Sequence, residues 1–132
     1  MKKTSILTAI LLLIATTAMA FDQSQFSSES FTVGNNTLLY RCSKICQGTS
    51  KPILVLYLHG GTSRGSDNLA QLNEAAVGEI YQYLVDHNIP SIFIVPQCPS
   101  GGSWTTTLRR VVNELLLALL MPETLIPTVC TS

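Results

Sequence analysis

The sequence predicts an α/β fold built around a small sheet with parallel strands. Residues 53–58 and 92–95 are apolar runs without alternation of polar and apolar residues, a pattern typical of strands buried on both faces. Each run is followed by a segment with helical spacing of its apolar residues. Strands that alternate with helices favour parallel pairing through crossover connections.

The composition is that of one ordered domain that begins with an export signal. The 132 residues are 46% hydrophobic and 12% charged, which allows a buried core. Residues 1–20 have the pattern of a secretory signal peptide: Lys2 and Lys3, a short apolar stretch, and Ala18-Met19-Ala20 as a cleavage site. The apolar stretch falls short of the ~20 residues that span a bilayer, so we expect cleavage after Ala20 and a periplasmic or extracellular product without a stable membrane anchor.

Charge and cysteine content narrow the classes of partner. Without Lys2 and Lys3, six of the eight basic residues remain against eight acidic ones, and no basic cluster points to nucleic acid or an anionic membrane surface. No cofactor is expected, since no phosphate-binding glycine motif is present. A local disulfide or free thiols are favoured over a zinc site for the four cysteines, Cys42, Cys46, Cys98 and Cys130.

The first predicted elements are a leader and a hairpin. Residues 21–30 are polar and serine-rich and are expected to form a loose leader. Residues 31–33 and 37–41 are rich in β-forming residues and flank Gly34-Asn35-Asn36, which indicates strand, turn and strand. The buried strand 53–58 follows after a loop.

Two helices complete the predicted order of elements. The first is expected at residues 68–87, capped by Ser66 or Asp67 and ended by Pro90. Its predicted buried face consists of Leu69, Leu72, Ala76, Ile80 and Tyr83. The second, at residues 105–120 after strand 92–95, has a wider apolar face made of Leu108, Val111, Val112, Leu115, Leu116 and Leu119.

Two loops follow the carboxyl ends of the predicted parallel strands, where open α/β sheets form their sites. Residues 56–68, LYLHGGTSRGSDN, cover the first, and residues 95–99, VPQCP, followed by Trp104, cover the second. In this order, both motifs resemble those of secreted α/β-hydrolases of the esterase, polyhydroxyalkanoate-depolymerase and dienelactone-hydrolase-like type. The resemblance extends over residues 31–120. It implies an incomplete α/β-hydrolase sheet, with an N-terminal hairpin, two buried parallel strands and two helices.

The resemblance assigns an oxyanion-hole loop to His59, Gly60, Gly61 and Thr62. Backbone N–H groups directed at a carbonyl oxygen stabilise the charge that develops in acyl transfer, and glycines allow close approach and positive φ. By this resemblance Gly61 or Thr62 donates, and His59 shapes the loop. Further loop-shaping residues are expected to be Arg64, Gly65 and Asp67, with Arg64 and Asp67 either paired or solvated. Gln97 and Trp104 are possible pocket residues, although Trp104 is favoured as cover for the core.

The catalytic triad of this family has no counterpart in the sequence. No G-x-S-x-G motif occurs, and His87 precedes the place where the nucleophile would stand, so no catalytic residue is assigned. Residues 121–132 match no pattern of the family. Their possible codons, read in another frame, are compatible with D-R-V-Y-V, which resembles the strand before the nucleophile, so we interpret the tail as aberrant or frameshifted.

Three functional hypotheses follow. The favoured one is a truncated exported carboxylic-ester hydrolase that is inactive alone, and its ancestral partner would be an ester substrate. The alternatives are a small exported non-catalytic binding module and one half of a split hydrolase completed by a second chain. In the first and third cases, strand 53–58 would expose a sheet edge, which favours self-association or pairing with another chain.

Overall fold

The computed structural model describes residues 21–46 and 50–121. The predicted signal peptide and the predicted aberrant tail, apart from Met121, lie outside these residues. Four strands and two helices are formed: β1 (Ser27–Val33), β2 (Asn36–Ile45), β3 (Ile53–Leu56), α1 (Ala75–Asp86), β4 (Ser91–Gln97) and α2 (Thr106–Leu120). The predicted order of hairpin, strand, helix, strand and helix is therefore present.

The sheet is mixed, with the order β1-β2-β4-β3. β1 pairs antiparallel with β2, and β2 pairs antiparallel with β4. β3 and β4 are parallel, with Ile53 opposite Ser91 and Leu56 opposite Ile94, as predicted for the two apolar runs. The mixed sheet with two helices is a partial α/β fold.

Each face of the sheet carries one part of the core. Phe93 and Val95 of β4 pack with Phe26 and with Leu72, Val77 and Leu84 from the α1 side. On the other face, the predicted apolar side of α2 covers Ile92 and Ile94. All seven residues of β4 are buried, because alternate side chains enter opposite parts of the core.

The loose leader predicted for residues 21–30 is wrong. Residues 23–25 form a turn of 3₁₀ helix, Phe26 is buried, and β1 already begins at Ser27. The side chains of residues 27–30 are exposed, so they lack the apolar alternation that identifies a strand from sequence. Their order comes from pairing with β2, which continues to Ile45.

The first helix begins at Ala75, seven residues later than predicted. Asn68 has a left-handed backbone with φ 53°, and Glu74 is extended with φ −71° and ψ 127°, so neither can belong to an α-helix. A 3₁₀ turn, Ala70–Asn73, lies between them. The predicted buried face is only partly correct: Leu72 is buried, but Leu69 and Tyr83 are exposed, and the buried residues of α1 are Val77 and Leu84.

Candidate functional site

The two predicted site loops meet at the carboxyl ends of β3 and β4. The Gly65 N–H donates to the Cys98 carbonyl at 3.0 Å. The Cys98 N–H in turn donates to Nε2 of His59 at 2.9 Å. The loop after β3 is therefore bound directly to the loop after β4, at the sheet edge where the sequence predicts a site.

His59 is a buried structural residue of this junction. Its side chain is 2% exposed, and both ring nitrogens have backbone partners. Nε2 accepts from Cys98 N–H, so the proton resides on Nδ1, which donates to the Gly60 carbonyl at 2.6 Å. With its accepting nitrogen occupied, the ring has no lone pair to offer as a general base.

Trp104 also contacts the His59 junction. Its indole N–H donates to the His59 carbonyl at 2.9 Å, and the two rings meet edge to face with centroids 5.2 Å apart. The rest of the half-buried side chain packs against the α2 part of the core. Of the two roles considered for Trp104, cover for the core is the one the contacts favour.

Gly60 and Gly61 do not have the positive φ proposed for them. Gly60 is extended, with φ −77° and ψ −177°, and among the described glycines only Gly34 and Gly101 have positive φ. A Cβ at Gly61 would lie 3.7 Å from the Arg64 guanidinium, an ordinary contact. The backbone conformation therefore does not require glycine at these positions. Their lack of side chains leaves the exposed side of the loop open.

The amide groups of Gly61 and Thr62 are available to a ligand. Both residues are exposed, and neither N–H has an acceptor in the described part of the chain. They lie in the single 3₁₀ turn Gly61–Ser63, directly after the His59 junction. Two unpaired donors at this place are what an oxyanion-binding loop requires.

A carboxylate that sequence reasoning did not select holds this turn. Glu74 Oε1 accepts from the Ser63 hydroxyl at 2.6 Å and from Gly60 N–H at 3.2 Å, and Oε2 accepts from the Tyr57 hydroxyl at 2.5 Å. Burial alone would raise the pKa of Glu74. Hydrogen bonds from Ser63, Tyr57 and Gly60, together with the nearby His59 ring, outweigh this effect and lower the pKa.

Asp67 accepts hydrogen bonds within the loop and is not paired with Arg64. Its Oδ1 accepts from the N–H groups of Leu69 and Ala70, at 2.9 and 3.1 Å, and from Gln97 Nε2 at 2.7 Å. The Leu69 N–H, then Gln97 and the Ala70 N–H, lower the pKa of Asp67. The exposed Arg64 instead places its guanidinium beside Gly61.

Gln97 is a clamp inside the loop, so its expected role as a pocket residue is wrong. The side chain is 2% exposed. Its Oε1 accepts from Asn68 N–H at 2.7 Å, and its Nε2 donates to Asp67 and to the Ser63 carbonyl. A Cβ on Gly65 would approach Nε2 to 3.2 Å, so the glycine permits this tight packing.

Asn68 connects the loop to the hairpin and was not selected from sequence. Its buried Nδ2 group donates to the Ser28 hydroxyl and the Tyr40 carbonyl, each at 3.0 Å, and its Oδ1 accepts from Gln71 at 2.6 Å. An asparagine after Asp67, in a run of turn-forming residues, is the local signal for its left-handed backbone. Its contacts with β1 and β2 have no local signal.

Other candidate groups lie away from this junction. His87 is exposed at the end of α1, where its Nδ1 contacts the Tyr83 carbonyl at 2.9 Å. Cys42 and Cys98 are free and Cys46 is disulfide-bonded, so a local disulfide that joins Cys42 and Cys46 does not form. Burial raises the pKa of Cys42 to about 11. Cys130 lies outside the described residues.

Metal-ligating clusters and membrane-spanning helices are absent from the described residues. No cluster of three or more metal-ligating side chains occurs within residues 21–46 and 50–121. In the same part of the chain, no helix is long and apolar enough to cross a bilayer. A groove of about 760 Å³ lies on the α2 side of the hairpin, between Tyr40 and Leu119, and no residue of the 59–67 loop lines it.

Comparison with known proteins supports the fold. A solved structure described as a thermostable esterase matches with a TM-score of 0.60 and 26% sequence identity. The match covers 73% of this chain but 30% of the esterase, so the chain spans less than a third of that protein. The fold is esterase-like. No protein-family model matches the sequence, and the comparison with curated proteins finds no match.

Proposed function

We propose that the chain is part of an exported carboxylic-ester hydrolase of the α/β-hydrolase family and contributes its oxyanion-hole loop. The observation that carries the proposal is the pair of Gly61 and Thr62 amides, which have no acceptor among the described residues and follow the His59 junction after β3. The esterase-like fold supports the same family. The substrate class is a carboxylic ester, whose carbonyl oxygen these donors would bind.

The loop by itself supplies only part of the chemistry. Attack on an ester needs an activated nucleophile, such as a serine beside a histidine base. Both nitrogens of His59 are occupied, His87 lies at the far end of α1, and no G-x-S-x-G motif occurs in the 132 residues. We therefore propose that this chain is inactive alone and that the nucleophile belongs to sequence beyond it.

The edge of the sheet favours a second arrangement, one half of a split hydrolase. Within the described sheet, β3 has one hydrogen-bonded neighbour, β4. Ile53, its first residue, is 53% exposed, and Leu58, two residues after its end, is 43% exposed. An apolar strand with a free edge accepts a further strand. A second chain that carries the nucleophile would pair there, and without it the same edge would favour self-association.

A chimaera tests the oxyanion-hole proposal. Residues 53–74 would replace the matching segment of the thermostable esterase, and hydrolysis of p-nitrophenyl acetate would be measured. Gly61→Pro removes one N–H, and the ψ of −177° at Gly60 is compatible with a following proline. Thr62→Pro removes the other. Loss of the donating N–H should lower kcat by about 10²–10³-fold.

The matched controls are Gly61→Ala and Thr62→Ala, which keep both amides. The alanine at position 61 meets only ordinary contacts, so both controls should hydrolyse at nearly the unsubstituted rate. If neither proline lowers kcat more than its alanine control, the loop is not an oxyanion hole. The nucleotide sequence downstream of the codon for Ser132 separates the two arrangements: a G-x-S-x-G motif in another frame indicates truncation, and an adjacent open reading frame indicates a split enzyme.

A further inference from the structure

We propose that Glu74 is the positioning residue of the oxyanion-hole loop: its carboxylate fixes Gly60 and Ser63 and thereby directs the free amides of Gly61 and Thr62 outward. This inference rests on the proposed function for what the amides bind. It adds a residue from outside the loop, fourteen positions after Gly60, on which the geometry of the donors depends.

The contacts of one oxygen atom carry the inference. Glu74 Oε1 accepts from Gly60 N–H at 3.2 Å and from the Ser63 hydroxyl at 2.6 Å. Gly60 and Ser63 are the two residues that flank Gly61 and Thr62. Both ends of the donor segment are therefore attached to the same atom, and the two amides between them are the ones without an acceptor among the described residues.

The carboxylate is itself held in place. Its other oxygen, Oε2, accepts from the Tyr57 hydroxyl at 2.5 Å, and Tyr57 continues β3 through an N–H bond to the Ile94 carbonyl at 3.0 Å. Glu74 also stands directly before α1, where its own carbonyl accepts from Val77 N–H. The loop is thereby tied to both a strand and a helix.

Glu74 serves the loop in place of its own helix. A side-chain oxygen at the position before a helix usually accepts from the free N–H groups of the first turn, yet the Glu74 side chain makes no such bond. Among the described residues, the hydrogen bonds of its carboxylate all come from Tyr57, Gly60 and Ser63. The side chain is thus committed to the loop at the expense of helix capping.

The ionised form of Glu74 is the one these contacts favour. Tyr57 at the end of β3 and Ser63 in the loop face its oxygens, and His59 is the other titratable group that acts on it. Burial opposes ionisation, but the hydrogen bonds and His59 lower the pKa below the usual value of 4.5. Near neutral pH the carboxylate is therefore charged, and each donor bonds to an acceptor of full strength.

Hydrogen–deuterium exchange of the full chain tests the inference without requiring activity. Glu74→Gln keeps the size of the side chain and removes its charge, and Glu74→Ala removes the acceptor. We expect the Gly60 amide to exchange about tenfold faster or more in Glu74→Ala, since a hydrogen bond to a charged group is lost. Glu74→Gln should lie between. Glu79→Gln, on the exposed side of α1, is the matched control and should leave this exchange unchanged.

A second measurement uses Trp104, the single tryptophan, whose indole N–H is bonded to the His59 carbonyl. In the unsubstituted chain, acrylamide quenching of Trp104 should rise as the pH falls through the lowered pKa of Glu74. The rise should be absent in Glu74→Gln and present in Glu79→Gln. This profile can be followed in the unsubstituted chain even if a variant does not fold.

The outcomes separate positioning from general stabilisation. If folded Glu74→Ala keeps the Gly60 exchange rate of the unsubstituted chain and differs only in its urea midpoint, Glu74 stabilises the fold and the inference is wrong. An unchanged quenching profile in Glu74→Gln would overturn it as well. Neither readout involves ester hydrolysis. Inactive chimaeras together with faster Gly60 exchange in Glu74→Ala would therefore reject the proposed function and retain the positioning role.

Discussion

The imidazole Nε2 of His59 accepts a hydrogen bond from the backbone N–H of Cys98 at 2.9 Å, thirty-nine residues further along the chain. This bond joins the loops that follow β3 and β4. The side chain of His59 is thereby used to hold the two loops together. The geometry of the oxyanion-hole loop proposed above would depend on it, because the segment whose amides have no acceptor among the described residues begins two residues later.

The first prediction concerns the stability that His59 confers. His59→Phe keeps a ring beside Trp104 but leaves the buried Cys98 N–H without its acceptor, while the exposed Gly60 carbonyl still accepts from Ser63 N–H. An unsatisfied buried group costs about 1–3 kcal/mol, so the free energy of unfolding should fall by about 1–3 kcal/mol. Urea unfolding followed by far-UV circular dichroism measures it. His87→Phe, at an exposed site, should change it by less than about 0.5 kcal/mol.

The second prediction concerns the two left-handed asparagines, Asn68 at φ 53° and Asn88 at φ 52°. Asn88 is exposed at the end of α1, so Asn88→Gly should be neutral or slightly stabilising. Asn68→Gly relieves the same backbone but removes the bonds to Ser28, Tyr40 and Gln71. It should destabilise the chain by about 2–4 kcal/mol. Equal urea midpoints for the two variants would contradict the role of Asn68 as the link to the hairpin.

The features that the sequence predicts correctly have patterns that can be recognised locally. The apolar runs of β3 and β4 and the apolar side of α2 carry their own periodicity, so their type and order follow from local pattern. The position of His59 in its loop also follows from a local motif. The boundaries of β1 and α1 do not, since exposed serines form a strand through pairing with β2, and Asn68 ends the helical pattern through contacts with β1.

The parts of the site that were missed are set by distant contacts. Glu74 reaches back to Tyr57, Gly60 and Ser63, and no spacing rule connects an acidic residue before one helix to a turn eleven residues earlier. Gln97 stands after a strand at a predicted site edge, which suggested a pocket. Only the structure reveals that its amide is used within the loop.

The third prediction is a pH dependence due to Asp67. Its pKa is lowered from the ordinary 3.8, so the folded state favours the charged form. The stabilisation is therefore complete above the ordinary pKa and is lost as the pH falls through the lowered one. Urea midpoints measured from pH 6 to pH 2 should decline less steeply in Asp67→Asn than in the unsubstituted chain. Parallel curves would show that the bonds to Leu69 and Gln97 do not depend on charge.

The last prediction concerns the edge of β3 that has no neighbouring strand among the described residues, with Ile53 in the strand and Leu58 just after it exposed. We expect the full chain to self-associate at micromolar concentration, because an apolar edge strand pairs with other chains. Ile53→Lys places a charge at that edge and should shift sedimentation velocity profiles toward monomer. Leu117→Lys is the matched control, since Leu117 is also 53% exposed but lies on α2. If Leu117→Lys dissociates the chain equally well, general surface apolarity causes the association. A monomeric unsubstituted chain with a sharp melt would contradict the prediction that the edge of β3 drives self-association.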